Sequence, residues 1–150
     1  MIIDTPTNTR CEGVTLDDSN LVVVSIIRAG DAMLDTFLRI CPSAQVGKIL
    51  IQRDEETALP KLYYYKVPDL TGKQVILVDP MLATAGSAKA AIKILLEKGA
   101  EENKIAFFNV IACPEGIKAM NDAHPDVQIV TGHVDQGLNE RVSKFPFVTI

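Results

Sequence analysis

Apolar residues recur along the chain in short continuous runs that alternate with segments of helical period. Five runs have the length and β-branched composition of strands that are buried on both faces: Leu21–Ile27, Val46–Ile51, Val75–Asp79, Ile105–Ala112 and Val127–Val130. Three segments place apolar residues on one helical stripe: Asp31–Cys41, Ser87–Lys98 and Pro114–Ala123. Residues 53–74 are polar and irregular, apart from a predicted short edge strand over Leu62–Tyr65. The alternation predicts an α/β fold, a doubly wound parallel sheet of about five strands with flanking helices.

Composition adds the domain organisation and excludes several classes of partner. The 150 residues are 47% hydrophobic and 23% charged, without repeats or Gly/Pro/Ser-rich linkers, so we expect one domain over residues 1–150. A net charge of −4 argues against a nucleic-acid binder that uses a basic face. The apolar runs fall short of the roughly 18 residues of a membrane helix. The absence of a signal-like N-terminus and an odd count of three cysteines without a C-x-x-C pair predict a cytoplasmic protein with reduced thiols.

The segment that follows the third strand carries the most specific chemistry. Ligands of parallel sheets bind outside the carboxyl ends of the strands. Here the chain reads Asp79, Pro80, Met81, Leu82, Ala83, Thr84, Ala85, Gly86, Ser87. A loop of small residues that leads into a helix directs backbone N–H groups and the helix dipole at one point, which suits a phosphate monoester. Asp79 could accept hydrogen bonds from sugar hydroxyls. The alternative is structural: Thr84 or Ser87 caps the helix, and Asp79 starts a turn.

An arginine follows each of the first two strands. Arg28 precedes Ala29 and Gly30, and Arg53 lies just beyond the second strand. Taken singly, Arg28 could pair with Asp31 at the surface and Arg53 could belong to a solvated loop. Guanidinium groups bind phosphate oxygens in a bidentate manner. Two arginines and a phosphate-binding loop at three strand ends therefore predict a ligand that is phosphorylated at more than one place.

Six segments together resemble the uracil phosphoribosyltransferase family. They are SIIRAG (25–30), GKILIQRDEETA (47–58), VDPMLATAGS (78–87), PEGI (114–117), AHPDV (123–127) and LNER (138–141). The resemblance implies a type I phosphoribosyltransferase-like, Rossmann-like fold and an enzyme of pyrimidine salvage. That enzyme converts uracil and phosphoribosyl pyrophosphate (PRPP) into UMP and pyrophosphate. The resemblance also implies that Mg²⁺ is carried by PRPP, that uracil and PRPP are small-molecule substrates, and that the family's full-length protein is a homo-oligomer.

The resemblance assigns a role to each candidate residue. Residues 79–87 would form the PRPP site, in which 84–87 hold the 5′-phosphate and Asp79 holds the ribose hydroxyls. Arg28 and Arg53 would bind the pyrophosphate, so Arg28, Arg53 and Asp79 are the expected catalytic residues. Residues 54–66 resemble the family's mobile loop. No cluster of His, Cys and carboxylate residues has metal-ligand spacing, so we expect no metal held by protein ligands.

The sequence departs from the family after Arg141. There the family has a motif like I-V-P-G-x-G-D that supplies the uracil contacts, whereas residues 142–150 read VSKFPFVTI. The family also has some tens of residues before the stretch that matches Thr5. These departures predict a PRPP-binding core in which transfer to uracil is impaired. The alternatives are a regulatory paralogue that binds PRPP or a nucleotide without turnover, or a truncated gene product.

Overall fold

The computed structural model describes residues 2–13, 17–54 and 60–137, which form one large sheet, a small hairpin and three helices. The strands are β1 Ile2–Asp4, β2 Arg10–Glu12, β3 Leu21–Ile27, β4 Gln45–Arg53, β5 Pro60–Lys66, β6 Gln74–Val78, β7 Met81–Leu82, β8 Ile105–Ala112 and β9 Gln128–Val134. The helices are α1 Asp31–Ile40, α2 Gly86–Glu97 and α3 Pro114–Ala123. Strands β1 and β2 form the antiparallel hairpin. None of the helices in these ranges is long and apolar enough to cross a membrane.

The seven-stranded sheet has the order β5-β4-β3-β6-β8, and both β7 and β9 pair with β8. All of its pairings are parallel except that of β4 with β5. The predicted α/β fold is therefore confirmed, and each of the five predicted strands is present. The edge strand predicted over Leu62–Tyr65 is longer than expected: it is β5, which spans Pro60–Lys66. That residues 1–150 form one domain stays a prediction.

The helices cover both faces of the sheet, and the alternation of side chains in β3 shows how. Val22, Val24 and Ile26 belong to a large apolar core that also contains the buried residues of α2 and Met120 of α3. Val23 belongs to a second, smaller core with Leu34 of α1 on the opposite face. Successive residues of a strand point to opposite faces, so β3, which is apolar at every position but Ser25, is buried on both faces.

The strand order brings the three candidate segments to one edge of the sheet. Strand β3 lies between β4 and β6, so the chain leaves it on one side for β4 and later returns on its other side as β6. Such a reversal of strand order opens a crevice at the carboxyl ends of the two strands, where α/β proteins bind their ligands. The turn after β3 and the segment after β6 face each other across this crevice, and β4 ends beside them.

Candidate active site

Residues 79–87, which we call the 79–87 loop, line a cavity of about 560 Å³ at the carboxyl edge of the sheet. All nine residues of the loop contribute to its wall, together with Ala29 after β3 and Val110 and Ile111 of β8. The volume falls in the range of small-molecule sites, roughly 300–1,000 Å³. The segment selected from the sequence is thus the wall of a concave site.

Backbone hydrogen bonds hold the first half of the 79–87 loop against β8. The Asp79 N–H donates to the Phe108 carbonyl at 3.2 Å. The Pro80 carbonyl accepts from the N–H groups of both Val110 and Ile111, at 3.0 and 3.1 Å. The chain then pairs with β8 again through β7. Asp79 and Pro80 therefore form a kink between two strand segments, and the kink places the Asp79 carboxyl at the cavity.

The second half of the loop turns sharply into α2 at Ala85. Ala85 is the N-cap residue and has a left-handed backbone, with φ 61° and ψ 4°. Its methyl side chain carries no acceptor for the first-turn N–H groups, and neither Thr84 nor Ser87 occupies the N-cap position. Ala85 itself therefore makes no side-chain cap hydrogen bond, and a capping role for Thr84 or Ser87 stays an alternative. The N–H groups at the start of a helix, together with the helix dipole, form a site at which an anion can bind.

Asp79 is the one acidic residue among the described residues that line this cavity. Burial raises its pKa to about 6, although a hydrogen bond from the Met81 backbone N–H acts in the opposite direction. Val78, the residue before Asp79, pairs with Phe108, the residue before Asn109. Asn109 accepts a 2.6 Å hydrogen bond from Thr131 through Oδ1, while its buried Nδ2 has no partner among the described residues. Asp79 itself lines the cavity and accepts a hydrogen bond from the Met81 N–H, so its carboxyl is an acceptor at the cavity wall.

Arg28 lies in the turn after β3, with an exposed side chain, and lines a second cavity of about 760 Å³. Ala29 lines both cavities, so they adjoin at this turn. The peptide bond between Ile27 and Arg28 is cis. The alternative that Arg28 pairs with Asp31 is wrong, because the Asp31 carboxylate contacts Ser25 and Lys48 instead. No salt bridge joins Arg28 to a carboxylate within residues 2–13, 17–54 or 60–137.

The backbone of Arg53 reaches the same edge of the sheet, because Arg53 is the last residue of β4 and pairs with Pro60 of β5. Its side chain lies outside what the structure describes, so its predicted contact with pyrophosphate stays a prediction. The segment expected to resemble a mobile loop divides in two. Residues 60–66 form β5, and residues 55–59 lie outside the described residues.

The start of α3 supports the 79–87 loop, a contact that the sequence did not predict. A Cβ atom on Gly116 would collide with the carbonyl oxygens of Leu82 and Ala83. The Cys113 thiol donates to the Ala83 carbonyl at 3.0 Å and accepts from the Gly116 N–H. The buried Cys113 is therefore part of the loop's support. The PEGI segment predicted a helix start but carried no signal of this packing.

The side chains that could bind a metal ion form no separate metal centre in the part of the chain that the structure describes. There, no three His, Cys, Asp or Glu side chains converge as a bound metal ion would require. That Mg²⁺ arrives with the substrate stays a prediction.

Known proteins resemble this chain in sequence and in fold. The model of the family described as uracil phosphoribosyltransferase matches residues 1–149. Over 140 residues, or 93% of this chain, it is 51% identical to the uracil phosphoribosyltransferase of Dictyostelium discoideum and 49% identical to that of Saccharomyces cerevisiae. The chain spans 64% of the length of each of these relatives.

Solved structures also resemble the fold. The AQ2163 protein from Aquifex aeolicus superposes with a TM-score of 0.80 at 34% identity, covering 93% of this chain and 66% of that one. A purine phosphoribosyltransferase from Pyrococcus horikoshii superposes with a TM-score of 0.55 at 19% identity, covering 79% of this chain and 80% of that one. The second likeness concerns the fold alone.

Proposed function

Because the chain belongs to the uracil phosphoribosyltransferase family, we propose that it binds PRPP with Mg²⁺ at the 79–87 loop and transfers the phosphoribosyl group to uracil. The products would be UMP and pyrophosphate. The observation that carries the proposal is that all nine loop residues line one cavity, which adjoins a second cavity lined by Arg28. A ligand with phosphates at both ends of a ribose fits two adjoining cavities of this kind.

The first contribution to the reaction is orientation. The start of α2 and the hydroxyls of Thr84 and Ser87 would hold the 5′-phosphate, and Asp79 would accept hydrogen bonds from the ribose hydroxyls. With the sugar held at two points, C1 is aligned with the ring nitrogen of the base. Orientation of two reactants contributes up to about 7–11 kcal/mol to lowering a barrier.

The second contribution is electrostatic. When the bond from C1 to the pyrophosphate oxygen breaks, the sugar becomes cationic and negative charge builds on the leaving group. Arg28 and Arg53, together with the Mg²⁺ that PRPP carries, would stabilise this charge more strongly in the transition state than in the ground state. The ionised Asp79 carboxylate would favour the cationic ribose. Since its pKa is raised to about 6, the carboxylate is ionised at neutral pH.

The test is UMP formation from uracil and Mg–PRPP by the parent chain and by an Asp79→Asn variant. We expect the parent to form UMP and the variant to lose at least about tenfold in kcat/KM, because Asn is a weaker acceptor for the ribose hydroxyls. Arg39→Met, an exposed α1 substitution, is the control and should retain activity. If the parent forms UMP and the Asp79→Asn variant forms it at the same rate, the assignment of Asp79 is contradicted.

The same assay measures the expected impairment. That expectation concerns residues 142–150, which lie outside the described residues. PRPP binding by the parent without UMP formation would favour the alternative of a binding protein without turnover. We further propose, from the family resemblance, a homo-oligomeric cytoplasmic enzyme of pyrimidine salvage. Sedimentation of the full-length protein and cell fractionation test this.

A further inference from the structure

A network of three polar side chains lies directly behind the turn that carries Arg28. The Asp31 carboxylate accepts a hydrogen bond from the Ser25 hydroxyl at 2.7 Å through Oδ1. Its other oxygen, Oδ2, contacts the Lys48 ammonium at 2.8 Å. Ser25 is completely buried, and Asp31 is the first residue of α1. One carboxylate therefore joins β3, β4 and the start of α1.

The backbone of Asp31 closes the same turn. Its N–H donates to the Arg28 carbonyl at 3.1 Å, and the Gly30 N–H donates to the Ile26 carbonyl at 2.9 Å. A Cβ atom on Gly30 would collide with the carbonyl oxygens of Val78 and Ile26, so the turn already lies as close to β6 as its atoms allow. Ser25 and Lys48 are direct partners in the parallel register of β3 and β4, so both side chains leave the sheet on the same face. The Asp31 carboxylate contacts both side chains on that face.

The charges of the network suit a neighbouring anion. A free carboxylate three residues from Arg28 would repel a phosphate, whereas Lys48 balances its charge. Hydrogen bonds from Lys48 and Ser25 lower the pKa of Asp31, so the carboxylate stays ionised at neutral pH. The side chains of Lys48 and Asp31 are 42% and 38% exposed. Ion pairs with that exposure contribute little to global stability, so their effect is expected to be local.

We propose that Asp31 is a positioning residue for pyrophosphate: held by Ser25 and Lys48, it fixes the Arg28–Gly30 turn so that Arg28 faces the leaving group. This inference rests on the proposed function. Asp31 and Lys48 do not line either cavity, so they would act through Arg28 and not by contact with the ligand.

The experiment compares three variants of the full chain, Asp31→Asn, Lys48→Met and the double variant. Magnesium pyrophosphate and ribose 5-phosphate are titrated into each by calorimetry, and thermal unfolding is recorded in parallel. Lys118→Met is the matched control, because Lys118 pairs with Asp122 at 2.6 Å on the surface of α3. We expect Asp31→Asn and the double variant to lose about tenfold in affinity for pyrophosphate. Affinity for ribose 5-phosphate and the melting temperature should stay close to those of the parent.

The double variant separates positioning from simple charge. If Asp31 and Lys48 acted only through their charges, Asp31→Asn would strengthen pyrophosphate binding by leaving Lys48 unpaired, and the neutral double variant would bind like the parent. Either result would overturn the inference, as would equal losses for both ligands. Asp31→Glu, which keeps the carboxylate, should restore part of the affinity. A parent that binds neither pyrophosphate nor PRPP would overturn the proposed function, and this inference with it.

Discussion

The Sγ atom of Cys113 lies 3.0 Å from the carbonyl oxygen of Ala83, which joins the N-cap of α3 to the middle of the 79–87 loop. Burial raises the pKa of this thiol, so it stays protonated and keeps its S–H donor at neutral pH. Beside it, Gly116 brings the backbone of α3 against the same stretch of loop. The conformation of the candidate phosphate site therefore depends on a helix that contributes no residue to the cavity wall.

Gly116→Ala should destabilise the protein although Ala is the better helix former. In an ordinary helix interior the change would stabilise by about 1 kcal/mol. Here the added Cβ meets the carbonyl oxygens of Leu82 and Ala83, both backbone atoms. Overpacking of this kind typically costs about 1–3 kcal/mol. Urea unfolding should show the loss, and PRPP affinity should fall with it. Gly13→Ala is the control, since a Cβ there meets nothing within 4 Å; equal effects at both positions would contradict this account.

Because the backbone of Ala85 is left-handed, protein stability should tolerate Gly at this position and should not tolerate Val. Ala85→Gly removes a backbone strain of about 1–2 kcal/mol. It also makes the unfolded chain more flexible and removes a buried methyl group, and both effects lower stability. The net change in stability should therefore be small. Ala85→Val puts a β-branched residue at φ 61° in a buried position and should cost more than about 2 kcal/mol. Chemical denaturation of both variants checks this. A Val variant as stable as the Gly variant would show that the loop does not have this backbone conformation.

Asp79→Asn should stabilise the ligand-free protein in a pH-dependent way. The folded pKa of Asp79 is raised from 3.8 to about 6. The folded state therefore binds its proton more tightly than the unfolded state, and stability falls as pH rises from about 4 to 6. Asn carries no charge and escapes this loss, so the variant should gain up to about 3 kcal/mol at pH 8 and progressively less toward pH 4.

Asp69→Asn supplies the opposite case for the same measurement. Hydrogen bonds from Thr71 lower the pKa of Asp69. That carboxylate therefore adds stability above its unfolded pKa of 3.8 and loses it below. The Asp69→Asn variant should be less stable than the parent by a nearly constant amount above about pH 5, and should approach the parent only below about pH 4. Across pH 4–8, the unfolding free energy of Asp79→Asn relative to the parent should show a gain that grows with pH, whereas that of Asp69→Asn should show a nearly constant deficit. An Asp79→Asn profile that runs parallel to that of the parent would mean that Asp79 is not held in the buried site described above.

Arg28→Met should weaken pyrophosphate binding by about tenfold or more, because a charge-assisted hydrogen bond to phosphate is lost. Ribose 5-phosphate, which would occupy only the 79–87 loop, should bind as before. Arg39→Met on α1 removes the same charge away from both cavities and should change neither affinity. Calorimetric titration of the two ligands measures these affinities. If Arg28→Met lost equal affinity for both ligands, the placement of pyrophosphate in the second cavity would be contradicted.

The strands and helices with a clear hydrophobic pattern could be predicted from the sequence. The contacts between segments that are far apart along the chain could not. The continuous apolar run at Leu21–Ile27 indicates a strand buried on both faces, and residues 79–87 are typical of a phosphate loop. The pairing of Asp31 with Lys48 depends on the register of β3 and β4, which a sequence does not display. The support of Ala83 by Cys113 likewise joins residues 30 positions apart. Short elements such as β1, β2 and β7 have too few residues for a period.

Binding of Mg–PRPP to the 79–87 loop is the central claim, and thermal unfolding with increasing ligand tests it most directly. A ligand that binds only the folded state raises stability by about 2.7 kcal/mol at a hundred times its dissociation constant. We expect the melting temperature of the parent chain to rise with millimolar Mg–PRPP, and that of Ala85→Val to rise much less. A parent chain whose melting temperature does not move at any accessible concentration of Mg–PRPP would contradict the account.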